Sequence, residues 1–267
     1  MTQDERRVWL IRQLQKEMPE YAKIPVPDDR EQQWHLLRGL FNVRLPGETT
    51  EEFQQVEGEF LREMTREKGI VNSDALTPVR LDSRILLWQG DITRLKADAI
   101  VNAANSGMTG CYQPNHSCID NAEHTMAGTQ MRLECSRIME EQGHEEPTGQ
   151  AKITRGYNLP ARYVLHTVGP IVMGPLRQLH REQLASCYRS CLDLAEEKGL
   201  HSVAFCCIST GVFRFPKDQA AEIAVKTVQD WLNRHPAAAV QRVIFNVYED
   251  SDRKIYDSLL NGRIRKK

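Results

Sequence analysis

The chain lacks any apolar run long enough to cross a membrane, and it has almost no excess charge of either sign. A membrane-spanning helix needs about 20 consecutive apolar residues, whereas the hydrophobic 40% of these 267 residues is dispersed among 27% charged residues. The formal net charge of -1 provides no general attraction for nucleic acid or an anionic membrane, because such binding depends on a basic surface. We therefore expect a soluble globular protein that binds neither nucleic acid nor membranes.

The cysteines and the first residues show no sign of export. Seven cysteines form no framework of regular spacings, and an odd number favours reduced thiols over disulfides. Residues 1–7 carry mixed charge and lead into an amphipathic segment, unlike a secretory signal or an acid-poor transit peptide. These features predict a cytoplasmic protein.

Residues 1–78 have the apolar spacing of helices, which predicts a helical N-terminal extension. Three helices are each expected to begin at a capping signature. The signatures are Thr2 with Glu5, Asp28 with Glu31, and Thr49 with Glu52. We expect the apolar faces of these helices to pack on the main domain or on one another, and the extension to take no part in the chemistry.

After Pro78, short apolar runs alternate with helical stretches, which predicts an α/β layer structure over residues 79–262. Strands are predicted at residues 85–88, 99–102, 151–154, 163–168, 203–208 and 242–247. Helices are predicted at residues 119–143, 176–198, 216–235 and 250–260. The very apolar run 203–208 is expected to be a central strand, and the basic residues 263–267 are expected to be a solvated end.

Two thiols and an imidazole lie close together in residues 110–121. Cys111, His116 and Cys118, here called the Cys-His cluster, are followed by Asp120. Zn²⁺ prefers such ligands, and three of them leave a fourth position open for water or substrate. On local evidence alone the alternative is a chance grouping, because cysteine is a common core residue.

Three loops follow predicted strand ends, where ligands bind in open α/β sheets. They cover residues 90–93, 101–105 and 209–213. The carboxylate of Asp91 can accept a hydrogen bond from an adenine amine, although capping a turn would explain it equally well. The turn Ser209-Thr210-Gly211 presents hydroxyls and backbone amides before a helix, which suits a diphosphate.

Together these segments resemble the macrodomain family, whose members bind ADP-ribose in a cleft at one edge of a mixed sheet sandwiched by helices. The resemblance rests on Gly-Asp-Ile-Thr at 90–93, Val-Asn-Ala-Ala-Asn at 101–105, His-Thr-Val-Gly-Pro at 166–170 and Ser-Thr-Gly-Val-Phe at 209–213, in that order. It implies a three-layer α/β/α fold with a mixed central sheet. The substrate-binding residues that it implies are Asp91, Ile92, Asn105, Cys118, Ile119, Asp120, Ser209, Thr210, Gly211, Val212 and Phe213, with Tyr248 stacking on the adenine.

The chain departs from the common family pattern at the Cys-His cluster. Ordinary hydrolytic macrodomains carry a glycine-rich turn followed by Val-Asp-Gly-Ala-Ile-His, whereas residues 119–124 here are Ile-Asp-Asn-Ala-Glu-His. Asp120 and His124 keep their places, and the glycines are replaced by the cluster. This resembles a zinc-containing bacterial branch of the family, whose members also carry a helical N-terminal extension and remove ADP-ribose from proteins.

The resemblance to this branch implies a zinc-dependent protein mono-ADP-ribosylhydrolase, an enzyme of glycosidase or ester type. Its cofactor would be Zn²⁺ held by the Cys-His cluster, and Asp120 and Asn105 would be catalytic. The implied partner is a protein that carries ADP-ribose on acidic side chains. The resemblance suggests a lipoyl-carrier type protein to which a sirtuin-like transferase has added the ADP-ribose. The alternative is a non-catalytic ADP-ribose reader with a structural zinc.

His166 and the other cysteines are interpreted as core residues. His166 lies in the middle of a predicted strand, and Cys206 and Cys207 lie in the apolar run of another. Neither position has the spacing of a second metal or nucleophile motif. We expect these side chains to contribute packing.

Overall fold

Three helices precede the sheet and form the helical N-terminal extension. The structure, a computed structural model, describes residues 1–262, so the predicted solvated end at 263–267 lies outside the described residues. The three helices are α1 (Gln3–Glu17), α2 (Arg30–Val43) and α3 (Glu51–Lys68). The capping box of Thr2 and Glu5 begins α1 as predicted.

The caps of α2 and α3 each lie one residue after the predicted position. Asp29 accepts a hydrogen bond from the amide of Gln32, and Thr50 accepts one from the amide of Phe53. In both places two residues of the same type are adjacent in the sequence, so the pattern alone could not distinguish the cap from its neighbour.

Eight strands follow the first helices, and six of them form the central sheet. The strands are β1 (Val71–Asn72), β2 (Ile85–Gln89), β3 (Leu95–Lys96), β4 (Ala99–Ala104), β5 (Ala151–Arg155), β6 (Tyr163–Val168), β7 (Ser202–Phe205) and β8 (Arg242–Val247). The sheet order is β2-β8-β7-β4-β6-β5, in which only β5 is antiparallel to its neighbour. This confirms the mixed sheet and the central position of β7. The strands β1 and β3 pair in a separate two-residue ladder, too short to show a periodic pattern.

Five helices complete the described fold. They are α4 (Ile119–Ala127), α5 (Thr129–Gln142), α6 (Gln178–Glu197), α7 (Lys217–Arg234) and α8 (Asp250–Asn261). The single helix predicted at 119–143 is interrupted at Gly128, whose φ of 93° ends α4. Strand β7 is shorter than predicted, because the chain turns after Phe205 and the amide of Ile208 donates to the carbonyl of Cys206. Over residues 1–262, no helix is both long and apolar enough to span a membrane.

Helices cover both faces of the sheet. On β6, the ring of His166 lies 3.8 Å from the thiol of Cys135 on α5, whereas the neighbouring Thr167 lies beside Cys187 and Cys191 on α6. Since successive side chains of a strand point to opposite faces, α5 and α6 lie on opposite sides. This confirms the three-layer α/β/α macrodomain architecture.

Buried polar contacts join the extension to the macrodomain fold. The carboxylate of Glu57 on α3 accepts hydrogen bonds from the amide and the hydroxyl of Thr129, both at 3.0 Å, and so caps α5. The residue before Thr129 is Gly128, which has no side chain to make this cap. Burial raises the pKa of Glu57 to about 7, although the bonds from Thr129 lower it. Glu57 is thus a side chain of the extension that completes a helix of the main domain.

Candidate functional site

The loops after β2, β4, β6 and β7 lie at one edge of the sheet, because these strands are parallel and their carboxyl ends point the same way. The loop after β6 is joined to the loop after β7 by a hydrogen bond from the amide of Val172 to the carbonyl of Phe213, at 2.9 Å. A methyl group added at Gly169 would lie 2.0 Å from Oγ of Ser209. The two loops therefore approach so closely that only glycine fits at position 169.

The Cys-His cluster comes together in space as predicted. Its three ligand atoms all lie within 4.8 Å of one another, and Sγ of Cys111 is 3.6 Å from Nδ1 of His116. Two sulfur atoms and one imidazole nitrogen, all partly exposed, fit Zn²⁺ with a position left open. Burial raises the pKa of the Cys118 thiol to about 12, so binding of a metal would displace its proton. The occupancy of this cluster by zinc stays a prediction.

The loop that carries the cluster is shaped by Gly110 and Asn121. Gly110 has a φ of 87°, and a methyl group added there would lie 2.8 Å from the ring of His124. The buried amide of Asn121 donates to the carbonyls of Cys111 and Gln113, at 3.4 and 3.0 Å. These contacts fix the first part of the loop against α4.

Cys118 caps α4, because its sulfur accepts a hydrogen bond from the amide of Asn121. Asp120 is the second residue of the helix and does not cap it. The residue that caps α4 is therefore also a candidate metal ligand, and the carboxylate of Asp120 is available for other contacts.

Asp120 is 4% exposed and is held by two asparagines. Nδ2 of Asn102 donates to its Oδ1 at 2.8 Å, and Nδ2 of Asn105 donates to its Oδ2 at 3.2 Å. Burial raises the pKa of Asp120 to about 6, while the bond from Asn102, the charge of Arg132 and the bond from Asn105 lower it. A carboxylate with a pKa near neutrality is suited to accept a proton from water.

Asn105 uses its polar groups inside the protein. Besides Asp120, its amide donates to the carbonyl of Gly110 at 3.1 Å, and its Oδ1 accepts from the amide of Gly107. Asn105 therefore connects Asp120 to Gly110, at the start of the loop that carries the Cys-His cluster. Its predicted contact with the distal ribose stays a prediction.

Two buried histidines differ in their contacts. Nδ1 of His166 lies 3.2 Å from the amide of Asn102, and its Nε2 lies 2.8 Å from the hydroxyl of Thr154. This confirms His166 as a satisfied core residue, and burial lowers its pKa to about 3. Among the described residues, neither nitrogen of His124 has a hydrogen-bond partner, although its Nε2 lies 3.5 Å from Asp120. Burial keeps the pKa of His124 well below its usual value, with further lowering by Arg132 and His166, so the ring is neutral.

Asp91 does cap a turn. Its Oδ1 accepts from the amide and hydroxyl of Thr93, at 3.1 and 2.6 Å, and its Oδ2 lies 3.8 Å from Nζ of Lys68 on α3. Ile92, next to it, is buried. One carboxylate oxygen of Asp91 thus serves the turn, and recognition of adenine by this side chain stays a prediction.

The segment 209–213 presents backbone amides more than hydroxyls. The hydroxyl of Thr210 donates to the carbonyl of Cys207, at 3.0 Å. Within residues 1–262, the amides of Gly211, Val212 and Phe213 donate to no protein acceptor. These three amides can therefore receive a diphosphate. Val212 and Tyr248 are 64% and 75% exposed, which leaves both free to contact a ligand.

Two residues near the site were not identified from the sequence. Asn102 is buried in β4, and a polar residue within an apolar strand was the sequence feature that could have identified it. Glu123 is completely buried, and its carboxyl oxygens have no partner among the described residues. Burial raises its pKa well above the usual value, and the charges of Asp120 and Asp91 raise it further. The resembling hydrolases carry isoleucine at the position of Glu123, which was the signal there.

Known proteins match this chain along most of its length. Residues 101–224 match the family model described as Macro domain. The Protein-ADP-ribose hydrolase of Treponema medium is 54% identical over 263 residues, with 98% of this chain and 100% of that protein covered. The Protein-ADP-ribose hydrolase of Staphylococcus aureus strain MRSA252 is 47% identical over 254 residues, with 95% and 94% covered.

The fold also matches solved structures. The crystal structure of the Trypanosoma brucei macrodomain in complex with ADP-ribose superposes with a TM-score of 0.66 at 31% identity, covering 84% of this chain and 95% of that chain. The Oceanobacillus iheyensis macrodomain with ADP superposes with a TM-score of 0.60 at 34% identity, covering 68% and 92%. On its sequence and its fold, this chain belongs to the macrodomain family.

Proposed function

We propose that this protein is a zinc-dependent mono-ADP-ribosylhydrolase that releases ADP-ribose from modified acidic side chains of a target protein. Relatives with 54% and 47% identity are named Protein-ADP-ribose hydrolase, which supports a hydrolase that acts on protein-linked ADP-ribose. One observation carries the proposal. The three residues of the Cys-His cluster lie close together in space, and the last of them, Cys118, is two residues before the buried Asp120.

Cys111, His116 and Cys118 would hold the zinc ion. When bound, Zn²⁺ would supply a Lewis acid beside the distal ribose. The donor set supports this ion over magnesium or calcium, since those cations prefer oxygen ligands. Because the three residues are partly exposed, a chelator can reach a metal ion held there.

Asp120 would orient and deprotonate the attacking water. The water oxygen would form a new bond to the anomeric carbon or to the ester carbonyl carbon, and its proton would pass to Asp120. In the first case the bond from the anomeric carbon breaks and the side chain leaves as a carboxylate; in the second the acyl C–O bond breaks and the ribose oxygen leaves and takes the proton from Asp120. Asn102 and Asn105 would hold the carboxylate during this step. Asp91 and Ile92 would contact the adenine, and the free amides of residues 211–213 would bind the diphosphate.

The target is proposed from the resemblance to the zinc-containing branch. It would be a lipoyl-carrier type protein, modified by a sirtuin-like ADP-ribosyltransferase. Comparing cleavage rates for such a carrier and for an unrelated protein modified on glutamate tests this choice. Equal rates would show that the enzyme recognises the linkage between ADP-ribose and the side chain and not the carrier protein.

The deciding experiment combines elemental analysis of the full chain with release of ADP-ribose from a protein modified on glutamate or aspartate. We expect about one zinc ion per chain, release of ADP-ribose, loss of both on chelation and recovery on adding zinc. A protein modified on arginine is the control for the linkage. A reader with a structural zinc would bind ADP-ribose but release none.

A further inference from the structure

The Cys-His cluster is contacted by the N-terminal extension as well as by the macrodomain fold. On α2, Nη2 of Arg38 donates to the carbonyl oxygen of His116 at 2.8 Å. Four residues later, Oδ1 of Asn42 accepts from the amide of Asn115 at 2.9 Å. Residues four apart lie on the same face of a helix. One face of α2 therefore binds the backbone of His116 and the backbone of Asn115, the residue before it.

The contact of Arg38 extends to the other end of the loop. The same Nη2 atom donates to Oδ1 of Asn121 at 2.8 Å. The amide of Asn121 in turn donates to the carbonyls of Cys111 and Gln113. One hydrogen-bonded network thus runs from Arg38 to the backbone of two of the three candidate ligands, Cys111 and His116.

Asn42 is fixed in the orientation that this network needs. It is completely buried, and its Nδ2 donates to the hydroxyl of Thr125 on α4 at 2.9 Å, which turns Oδ1 toward Asn115. Asn115 has a φ of 55°, a conformation that is uncommon for residues other than glycine. The bond from its amide to Asn42 therefore helps to hold a left-handed backbone conformation directly before His116.

A loop that carries three ligands loses conformational freedom when it binds a metal, and contacts that already order it reduce that loss. Groups that orient metal ligands typically change metal affinity by about 10–100-fold when they are removed. We propose that Arg38 and Asn42 are positioning residues of the metal site, so that the N-terminal extension sets the affinity for Zn²⁺. This inference rests on the metal site of the proposed function.

The test uses the full chain and compares two arginines of the same helix. Arg38→Met removes the donor to the loop, whereas Arg30→Met removes an exposed arginine that pairs with Asp4 at the start of the extension. Competition with a chromogenic zinc chelator should show about 10–100-fold weaker zinc binding for Arg38→Met and no change for Arg30→Met. Arg38→Lys keeps the charge, but its side chain is shorter and ends in a single ammonium, so it reaches the two acceptors less well and its affinity should be intermediate.

A folded Arg38→Met variant, shown by its melting temperature, that binds zinc like wild type overturns the inference. If Arg38→Met does not fold, Arg38→Lys decides, and wild-type affinity in that variant also overturns it. If the wild-type chain takes up no zinc, the metal of the proposed function fails. Hydrogen exchange of residues 111–118 in metal-free protein then decides the positioning role separately: faster exchange in Arg38→Met supports it, and equal exchange overturns it.

Discussion

Nδ2 of Asn102 lies 2.8 Å from Oδ1 of Asp120, and both side chains are buried. The remaining hydrogen of the same amide points to Nδ1 of His166 at 3.2 Å. The proposed catalytic carboxylate is therefore held by a buried side chain of strand β4. Its position depends on the sheet as well as on α4.

Asn102→Ala should lower the rate of cleavage while leaving the binding of ADP-ribose nearly unchanged. The variant loses a hydrogen bond to a charged group, and such a bond contributes about 1.5–3 kcal/mol. If that energy is lost in the transition state, the cleavage rate falls by roughly 10–100-fold. Single-turnover cleavage and calorimetric titration with ADP-ribose measure the two quantities. Equal loss of affinity and rate would instead indicate that the cleft has been disrupted.

Asp120→Ala should bind ADP-ribose nearly as well as wild type and cleave about 10²–10⁴-fold more slowly, because it removes the proposed general base. Since Cys118 caps α4, the variant should not lose a helix cap. Asp120→Asn is the matched variant that keeps the size of the side chain. A variant that melts at a lower temperature but keeps its cleavage rate would assign Asp120 a purely structural role.

Cys118→Ala should lose zinc and hydrolysis and remain folded. The change removes one of three candidate ligands and the cap of α4, and loss of a cap costs about 0.5–2 kcal/mol. Cys187→Ala, which removes a buried thiol of α6, is the control for cysteine removal and should keep its zinc. Full activity in metal-free protein would falsify the zinc mechanism.

Asp91→Ala should weaken the binding of ADP-ribose by about 1–3 kcal/mol if the carboxylate accepts a buried hydrogen bond from adenine. Asp91→Asn is the control, because an asparagine oxygen can still cap the turn at Thr93. Calorimetry distinguishes the two roles of this residue. Unchanged affinity in Asp91→Ala would leave it as a structural cap.

Glu57→Gln should remove a pH-dependent loss of stability. The pKa of Glu57 is about 7 in the folded protein, above its ordinary value of 4.5, so the folded state binds this proton more tightly. The contribution of this proton to the free energy of unfolding is fully present below pH 4.5. It decreases as the pH rises toward 7, by up to about 1.4 kcal/mol per pH unit. Glutamine keeps an oxygen to accept from the amide of Thr129 but does not titrate.

Urea unfolding of wild type and Glu57→Gln at pH 5, 6 and 7 measures this effect. The free energy of unfolding should fall between pH 5 and 7 more steeply in wild type than in the variant. Other buried acids titrate in both proteins, so only the difference in slope is diagnostic. Parallel curves would show that Glu57 does not change its protonation in this range.

Much of the fold could be predicted from local patterns. Apolar runs such as 163–168 and 242–247 coincide with strands β6 and β8, because buried strands of a layered sheet need continuous apolar residues. The capping box at Thr2 also predicted the start of α1 from a short range of sequence. Where two adjacent residues could serve equally, as at Asp28 and Asp29, the local pattern chose the wrong one.

The α/β class, the order of the loops at the sheet edge and the grouping of Cys111, His116 and Cys118 could all be predicted from the sequence, because each depends on residues close together in the chain. The groups that surround these residues became known only from the packing of the folded chain. Arg38 meets Asn121 across 83 positions and Asn102 meets His166 across 64. Such contacts leave no periodic signal, since they depend on how helices and strands pack and not on the spacing of residues along one element.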